Sequence, residues 1–109
     1  GVDIYSYRVP LGVCAGIAPF NFPAMIPLWM YPLSITLGNT YVLKPSEKVA
    51  GTTEILINLL KEAGVPDGVV NVVQGGAPTV TNICTHKDIR AVSFVGSNTA
   101  GEYIYKTAS

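Results

Sequence analysis

The chain has 109 residues, with seven basic and seven acidic side chains, so its formal net charge is zero. This balance excludes the positive field that a nucleic-acid or anionic-membrane partner requires. Hydrophobic residues make up 49% of the chain and charged residues 13%, with a mean hydropathy of +0.38, which excludes intrinsic disorder. The length suits one domain or less, and a start at Gly1 without Met predicts a piece of a longer protein.

The stretch from Val9 to Leu43 contains no charged residue, which raises the question of a membrane span. It also contains five prolines, at positions 10, 19, 23, 27 and 32. Prolines leave backbone carbonyls without partners, and hydrocarbon cannot satisfy them. We therefore expect this stretch to be a buried segment of a domain core and not a span.

Hydrophobic periodicity predicts four strands that alternate with four helices. Strands are expected at 11–18, 41–44, 69–73 and 90–95, and helices at 23–37 (buried all round), 52–63, 78–84 and 98–107. The connections are too long for hairpins and fit right-handed crossovers. The sequence therefore predicts an α/β fold with a doubly wound parallel sheet.

The helix at 52–63 has the clearest amphipathic pattern. Its predicted inward stripe consists of Ile55, Leu56, Leu59, Leu60 and Ala63. Gly64 and Pro66 are expected to end it.

Ligands of open parallel sheets bind beyond the carboxyl ends of the strands. In this chain those places are residues 18–21, 44–48, 74–77 and 96–99. Neither the dinucleotide fingerprint GxGxxG nor the phosphate loop GxxxxGK[ST] occurs, so a nucleotide would have to be held by other means.

Lys44 and Glu47 form the most informative pair. A cation and an anion at the end of a strand can both hydrogen-bond a ribose diol, which is the task of the strand-end carboxylate in Rossmann domains. The alternative interpretation is a solvated ion pair of little energetic value.

Gly96 and Ser97 lie where the fourth strand ends and a helix begins. Ser97 is a good N-cap residue, and a diphosphate could approach the helix N-terminus beside Gly96. An ordinary capped helix start is the alternative. After the first strand, the amide of Asn21 could donate to an oxyanion, or could make a local turn contact.

Cys14 and Cys84 lie 70 residues apart, which predicts neither a disulfide framework nor a zinc site, so we expect both to be structural. The single histidine, His86, is expected in a surface turn. No nucleophile with a base, and no pair of acids, can be identified.

Five motifs occur in an order and spacing typical of one enzyme family: APFNFP at 18–23, GNT at 38–40, KPSE at 44–47, PDG at 66–68 and FVGS at 94–97. By these motifs nearly the whole chain resembles the aldehyde dehydrogenase superfamily. The runs RVPLGVCAGI at 8–17, PLWM at 27–30 and GEYI at 101–104 resemble its CoA-acylating, semialdehyde-oxidising branch.

The resemblance implies that residues 1–109 are part of a variant Rossmann domain for NAD, without the domain that carries the catalytic cysteine. Carried over position by position, it implies seven cofactor-binding residues: Ala18 and Phe20 after the first strand, Lys44 and Glu47 at the adenosine ribose with Lys48 beside them, and Gly96 and Ser97 at the diphosphate. Asn21 corresponds to the asparagine that stabilises the oxyanion of the thiol adduct.

The resemblance further implies that a small-molecule semialdehyde is oxidised with NAD and that coenzyme A takes the acyl group, with loss of CO2. It implies a homo-oligomer, a dimer or tetramer, in the mitochondrial matrix of a eukaryote or the cytoplasm of a bacterium. These residues alone are expected to be inactive, because the nucleophile is not among them. Two alternatives stay open: another NAD(P)-dependent aldehyde dehydrogenase, or a short nucleotide-binding module without catalysis.

Overall fold

The computed structural model describes all residues from 1 to 109. Each predicted strand and helix is present, in the predicted order. The elements are β1 (Val13–Ile17), α1 (Met25–Thr36), β2 (Thr40–Lys44), α2 (Ala50–Glu62), β3 (Val70–Val72), α3 (Ala77–Thr85), β4 (Ile89–Phe94) and α4 (Asn98–Ala108).

The four strands form one sheet in the order β3-β2-β1-β4, and all neighbours are parallel. This is the order of the first four strands of a Rossmann domain, in which the chain reverses direction across the sheet between β1 and β4. The prediction of a doubly wound α/β sheet is therefore confirmed.

The sheet separates two cores. On one face, α1 and α2 cover a cluster centred on Tyr41 and Leu43, which are 1% and 0% exposed. On the other face, α3 and α4 place Ile83 and Ile104 against Ala15 and Ile17. Helices on both faces leave the two ends of the strands open, and the carboxyl end is the one that the sequence predicts for a ligand.

The buried face of helix α2 matches the predicted stripe only in part. Thr53 is fully buried and Leu56, Ile57 and Leu60 are partly buried, whereas Ile55 and Leu59 of the predicted stripe are 63% and 53% exposed. The predicted stripe left out Thr53 because its side chain is polar, yet Thr53 is buried and its hydroxyl has no hydrogen-bond partner. The buried face is rotated accordingly.

The prediction that residues 9–43 are buried is only partly right. Strand β1 and the inner side of α1 are buried, but Trp29 and Leu33 on the outer side of α1 are 58% and 69% exposed. Helix α1 contacts the sheet with one side only, so its apolar outer side faces outward. No helix in the structure has both the length and the apolar character needed to cross a membrane.

The remaining local predictions concern helix ends and cysteines. Gly38 and Gly64 follow α1 and α2 with φ of 90° and 93°, the left-handed conformation that ends helices. Both cysteines are unpaired, Cys14 buried and Cys84 half-buried. His86 is exposed in a turn, where its Nδ1 accepts the Asp88 N–H at 3.3 Å.

Candidate functional site

Three predicted segments converge at the carboxyl edge of the sheet. Ile17, the last residue of β1, pairs with Lys44 of β2 on one side and with Phe94 of β4 on the other. The Ala18 N–H donates to the Lys44 carbonyl at 3.0 Å, and the Val95 N–H to the Ile17 carbonyl at 3.2 Å. The segments 18–21, 44–48 and 96–97 therefore begin on three adjacent strands. The loop at 74–76 follows β3, at the outer edge of the sheet.

Lys44 is a buried cation at this edge, with a side chain only 5% exposed. Its Nζ donates to the Pro45 carbonyl at 2.7 Å and lies 3.9 Å from Oε2 of Glu47, whose side chain is 61% exposed. Burial lowers the pKa of Lys44, and the Glu47 carboxylate partly opposes this effect. Because the ammonium has donors left and the ion pair is long, Lys44 and Glu47 are able to hydrogen-bond a ligand together.

Lys48 lies beside this pair, against an aromatic ring. Its Nζ stands 4.9 Å from the centroid of Phe20, whose side chain is 55% exposed. No carboxylate lies within ion-pair distance of Lys48. The cation–π contact thus links the segment after β1 to the segment after β2 and leaves the charge of Lys48 without an anion.

Ser97 caps helix α4, as predicted. Its Oγ accepts the Ala100 N–H at 3.4 Å, and its carbonyl accepts the Gly101 N–H at 2.9 Å. The N–H groups of Asn98 and Thr99 precede the first helical hydrogen bond and point out of the helix end. A Cβ at Gly96 would lie 2.5 Å from Cζ of Phe94, so a larger residue in the turn into this helix would require the Phe94 ring to shift. The result is an exposed helix start suited to an anion.

Asn21 and Ala18 sit in the segment after β1 with opposite exposure. The Asn21 side chain is exposed and makes no hydrogen bond within the chain, so the alternative of a local turn contact is not observed. The Ala18 methyl group belongs to the buried core, so any contact of Ala18 with a ligand would be made by its backbone. Phe22 holds the turn with φ of 57°, an uncommon value for a residue with a side chain.

Two contributors to the site belong to the KPSE motif but were given no role in the sequence analysis. The Pro45 carbonyl holds the Lys44 ammonium, and the Ser46 hydroxyl accepts the Lys48 N–H at 3.3 Å. The contact of Lys48 with Phe20 joins residues that are far apart in the chain, so periodicity and motif spacing do not reveal it.

An apolar groove of about 460 Å³ lies next to the site, between α1 and β4. Its walls include Trp29 and Leu33 of α1, and Ser93 and Val95 lie on the side of β4. The groove extends the candidate site along the uncovered side of β4.

Comparison with known proteins agrees with the family resemblance found in the sequence. The model of the aldehyde dehydrogenase family matches residues 1–109. The methylmalonate-semialdehyde dehydrogenase [acylating], mitochondrial, of Arabidopsis thaliana is 66% identical over 109 residues, which are 100% of this chain and 18% of that protein. The methylmalonate-semialdehyde/malonate-semialdehyde dehydrogenase [acylating], mitochondrial, of Homo sapiens is 60% identical over 108 residues, 99% of this chain and 20% of that protein.

A solved structure has the same fold. The crystal structure of a candidate methylmalonate-semialdehyde dehydrogenase from Sinorhizobium meliloti 1021, complexed with NAD, superposes with a TM-score of 0.91 at 51% identity. The superposition covers 93% of this chain and 21% of that one. The chain thus spans about one fifth of the length of the proteins that it matches.

Proposed function

Because the chain belongs to the aldehyde dehydrogenase family, we propose that it is the NAD-binding part of an NAD-dependent, CoA-acylating methylmalonate-semialdehyde or malonate-semialdehyde dehydrogenase. The observation that carries the proposal is the identity of 60% to 66%, over nearly all of these residues, to enzymes of that name. The named enzymes are about five times longer, so the activity is proposed for the polypeptide that contains this segment.

The residues at the carboxyl edge fit a dinucleotide. Lys44 and Glu47 offer a donor and an acceptor at one place, which matches the vicinal hydroxyls of a ribose. The open N-terminus of α4, behind Gly96 and Ser97, offers backbone donors and the positive end of a helix dipole to a diphosphate. When bound, NAD would accept the hydride that the aldehyde carbon gives up after a thiolate has added to it.

Asn21 is proposed as the catalytic donor among these residues. The substrate is a small aldehyde, and the nucleophile is a cysteine thiolate located outside residues 1–109. When that thiolate adds to the carbonyl, negative charge develops on the oxygen, and a preorganised amide donor lowers the energy of this state. The exposed Asn21 amide, free of partners within the chain, supports this role.

Coenzyme A is proposed as the acyl acceptor. The word "acylating" in the names of both relatives supports it. The malonyl-type carboxylate would leave as CO2, with a proton taking its place on the neighbouring carbon. The coenzyme A thiol would take the acyl group as a new thioester, and the enzyme cysteine would leave as its thiol. The products would be propionyl-CoA from methylmalonate semialdehyde and acetyl-CoA from malonate semialdehyde.

Assembly and compartment are part of the same proposal. The exposed apolar residues of α1, Trp29 and Leu33 among them, support burial against further protein, and we propose a homo-oligomer, a dimer or a tetramer. The word "mitochondrial" in the names of the eukaryotic relatives supports the mitochondrial matrix for a eukaryotic source. The cytoplasm is proposed for a bacterial one.

The test is a turnover assay of the full-length polypeptide with malonate semialdehyde or methylmalonate semialdehyde, NAD and coenzyme A. We expect formation of NADH together with acetyl-CoA or propionyl-CoA, identified by mass spectrometry. Formation of NADH and a free acid, independent of coenzyme A, would instead indicate another aldehyde dehydrogenase. Binding of NAD without any turnover would indicate a non-catalytic nucleotide-binding module.

A further inference from the structure

We propose that Phe22 is a positioning residue for Asn21: its backbone, held at a positive φ, fixes the direction of the Asn21 amide. The inference rests on the proposed function, in which that amide donates to the oxyanion. It assigns the role to the backbone of Phe22 and not to its ring.

Phe22 has a backbone conformation found at no other residue with a side chain. Its φ is 57°, whereas the other five positive values, at residues 12, 38, 64, 68 and 75, all belong to glycines. A positive φ is a genuine outlier for a bulky residue, because its Cβ crowds the neighbouring backbone. Such outliers persist only where the surrounding structure holds them, and they cluster at functional sites.

The position of Phe22 makes its φ decisive for Asn21. The Phe22 carbonyl accepts the Ile26 N–H at 3.2 Å, and Ile26 is 3% exposed, so the chain is anchored in the core directly after Phe22. Pro19 and Pro23 each hold φ near about −65°, which leaves the reversal of the chain to the residues between them. Because φ of Phe22 is the rotation about its N–Cα bond, it sets how the preceding residue, Asn21, is placed relative to α1.

Packing within these residues does not account for a phenylalanine at this position. The Phe22 side chain is 60% exposed, and Asn21 beside it makes no hydrogen bond within the chain. A glycine would accept the positive φ without strain, but glycine populates both signs of φ and would let the Asn21 amide turn. For a residue with a Cβ the positive-φ region is a small well, so Phe22 confines the amide to one direction.

The test compares three variants of the full-length polypeptide by rapid-quench measurement of the acylation rate at saturating NAD and semialdehyde, alongside a melting curve. Phe22→Leu tolerates a positive φ as phenylalanine does and should keep the rate within about twofold. Phe22→Ile carries the isomeric side chain, branched at Cβ, which rejects a positive φ. It should lower the rate by about tenfold to a hundredfold, the effect of a misplaced group. Phe22→Gly should also lower the rate, but without a lower melting temperature, because relief of strain offsets the added freedom of the unfolded chain.

Two controls separate positioning from other roles. Leu59→Ile places the same β-branched side chain at an exposed site of α2 and should leave the rate unchanged. In an Asn21→Ala background, Phe22→Ile should have no further effect on the rate, because its effect passes through Asn21. The affinity for NAD, measured by titration calorimetry, should be the same in all three Phe22 variants.

Each other result overturns the inference. Equal losses in Phe22→Leu and Phe22→Ile would assign the effect to the ring, and a normal rate in Phe22→Ile or Phe22→Gly would remove Phe22 from this role. A full further loss in the Asn21→Ala background would mean that Phe22 acts on something else. Crystal structures of the unmodified protein and Phe22→Ile give a readout that does not depend on turnover. An Asn21 amide in the same place in both would overturn the inference, whereas absence of NADH formation by the unmodified protein would overturn the proposed function.

Discussion

The hydroxyl of Tyr41 occupies the space beneath Gly16 where any other residue would carry its Cβ. Tyr41 lies on β2 and Gly16 on β1, so the side chain of one strand passes across the backbone of its neighbour. Sδ of Met30, from α1, lies 2.8 Å from the same Cβ position. Gly16 thus lets β2 and α1 pack against β1 two residues before Ala18, where the candidate site begins.

Substitution of Gly16 by alanine should destabilise the full-length polypeptide. The new methyl group would overlap the Tyr41 hydroxyl and Met30 Sδ in a packed core. Overpacking of this kind costs about 1–3 kcal/mol, which denaturant unfolding monitored by circular dichroism will measure.

Gly51→Ala is the matched control. Gly51 lies in α2 with nothing within 4 Å of its Cβ position, so alanine there should be neutral or stabilising. Combination of Gly16→Ala with Tyr41→Phe should recover part of the loss, since the clashing oxygen is gone. Equal stability of Gly16→Ala and the unmodified protein would contradict the packing account.

Tyr41 should make stability depend on pH in the alkaline range. Burial raises the pKa of Tyr41 from 10.0 to about 12, against a smaller lowering by the Ser93 hydroxyl. Because the raised pKa favours the neutral phenol in the fold, its stabilising effect is complete below pH 10 and is lost as the pH rises towards 12.

Tyr41→Phe isolates this effect, since phenylalanine does not ionise. Between pH 9 and 11 the variant should gain about 1 kcal/mol or more over the unmodified protein in urea unfolding. At neutral pH the two should differ little, because the Tyr41 hydroxyl has no partner at full hydrogen-bond geometry. Parallel pH profiles of the two proteins would mean that Tyr41 does not titrate in this range.

The strands and their parallel arrangement are predicted well from the sequence, because both follow from local hydrophobic patterns and connection lengths. Short apolar strands such as β1 and long crossovers specify a parallel α/β sheet without knowledge of any contact. Contacts between distant residues carry no such signal. The crossing of Tyr41 over Gly16 and the contact of Lys48 with Phe20 depend on which strands become neighbours. The inward face of α2 was predicted only in part for a related reason, since the burial of Thr53 depends on the sheet beneath it.

The ribose assignment of Lys44 and Glu47 predicts a graded loss of NAD affinity. Lys44→Ala in the full-length polypeptide should weaken NAD binding by about 1–3 kcal/mol, the scale of a charge-assisted hydrogen bond. Glu47→Gln should weaken it less, since an amide oxygen still accepts one hydroxyl. Titration calorimetry measures both. Lys61→Ala breaks an exposed ion pair of similar length, 3.8 Å, and should leave NAD binding unchanged. Normal affinity in Lys44→Ala and Glu47→Gln would reduce the pair to a surface contact.

Residues 1–109 expressed alone should be marginally stable and prone to aggregate. Their accessible surface is 7308 Å², whereas a folded monomer of 11.5 kDa exposes roughly 5,800 Å². The excess includes the outer side of α1 and the unpaired edge of β4, both of which invite association. Size-exclusion chromatography and a thermal melt will decide. A soluble monomer with a cooperative transition would show that this segment folds without further protein.

Asn21 is the residue to which we assign a chemical step. Its replacement should therefore change a reaction rate more than it changes stability or NAD binding. If its amide donates to the oxyanion, it acts mainly in the transition state. Asn21→Ala in the full-length polypeptide should then lower the acylation rate by roughly 10²–10³-fold, the effect of one oxyanion donor. NAD affinity should barely change, because in this role the amide would face the substrate and not the dinucleotide.

A structural role for Asn21 predicts a different pattern. A residue that holds its turn would, when removed, lower the melting temperature and disturb NAD and aldehyde binding together. The absence of any hydrogen bond from the Asn21 side chain within the chain argues against that pattern. Rapid-quench kinetics at saturating NAD, together with a melting curve, separate the two roles. A well-folded Asn21→Ala protein with a normal acylation rate would remove Asn21 from the mechanism, and the oxyanion would then need a donor outside these residues.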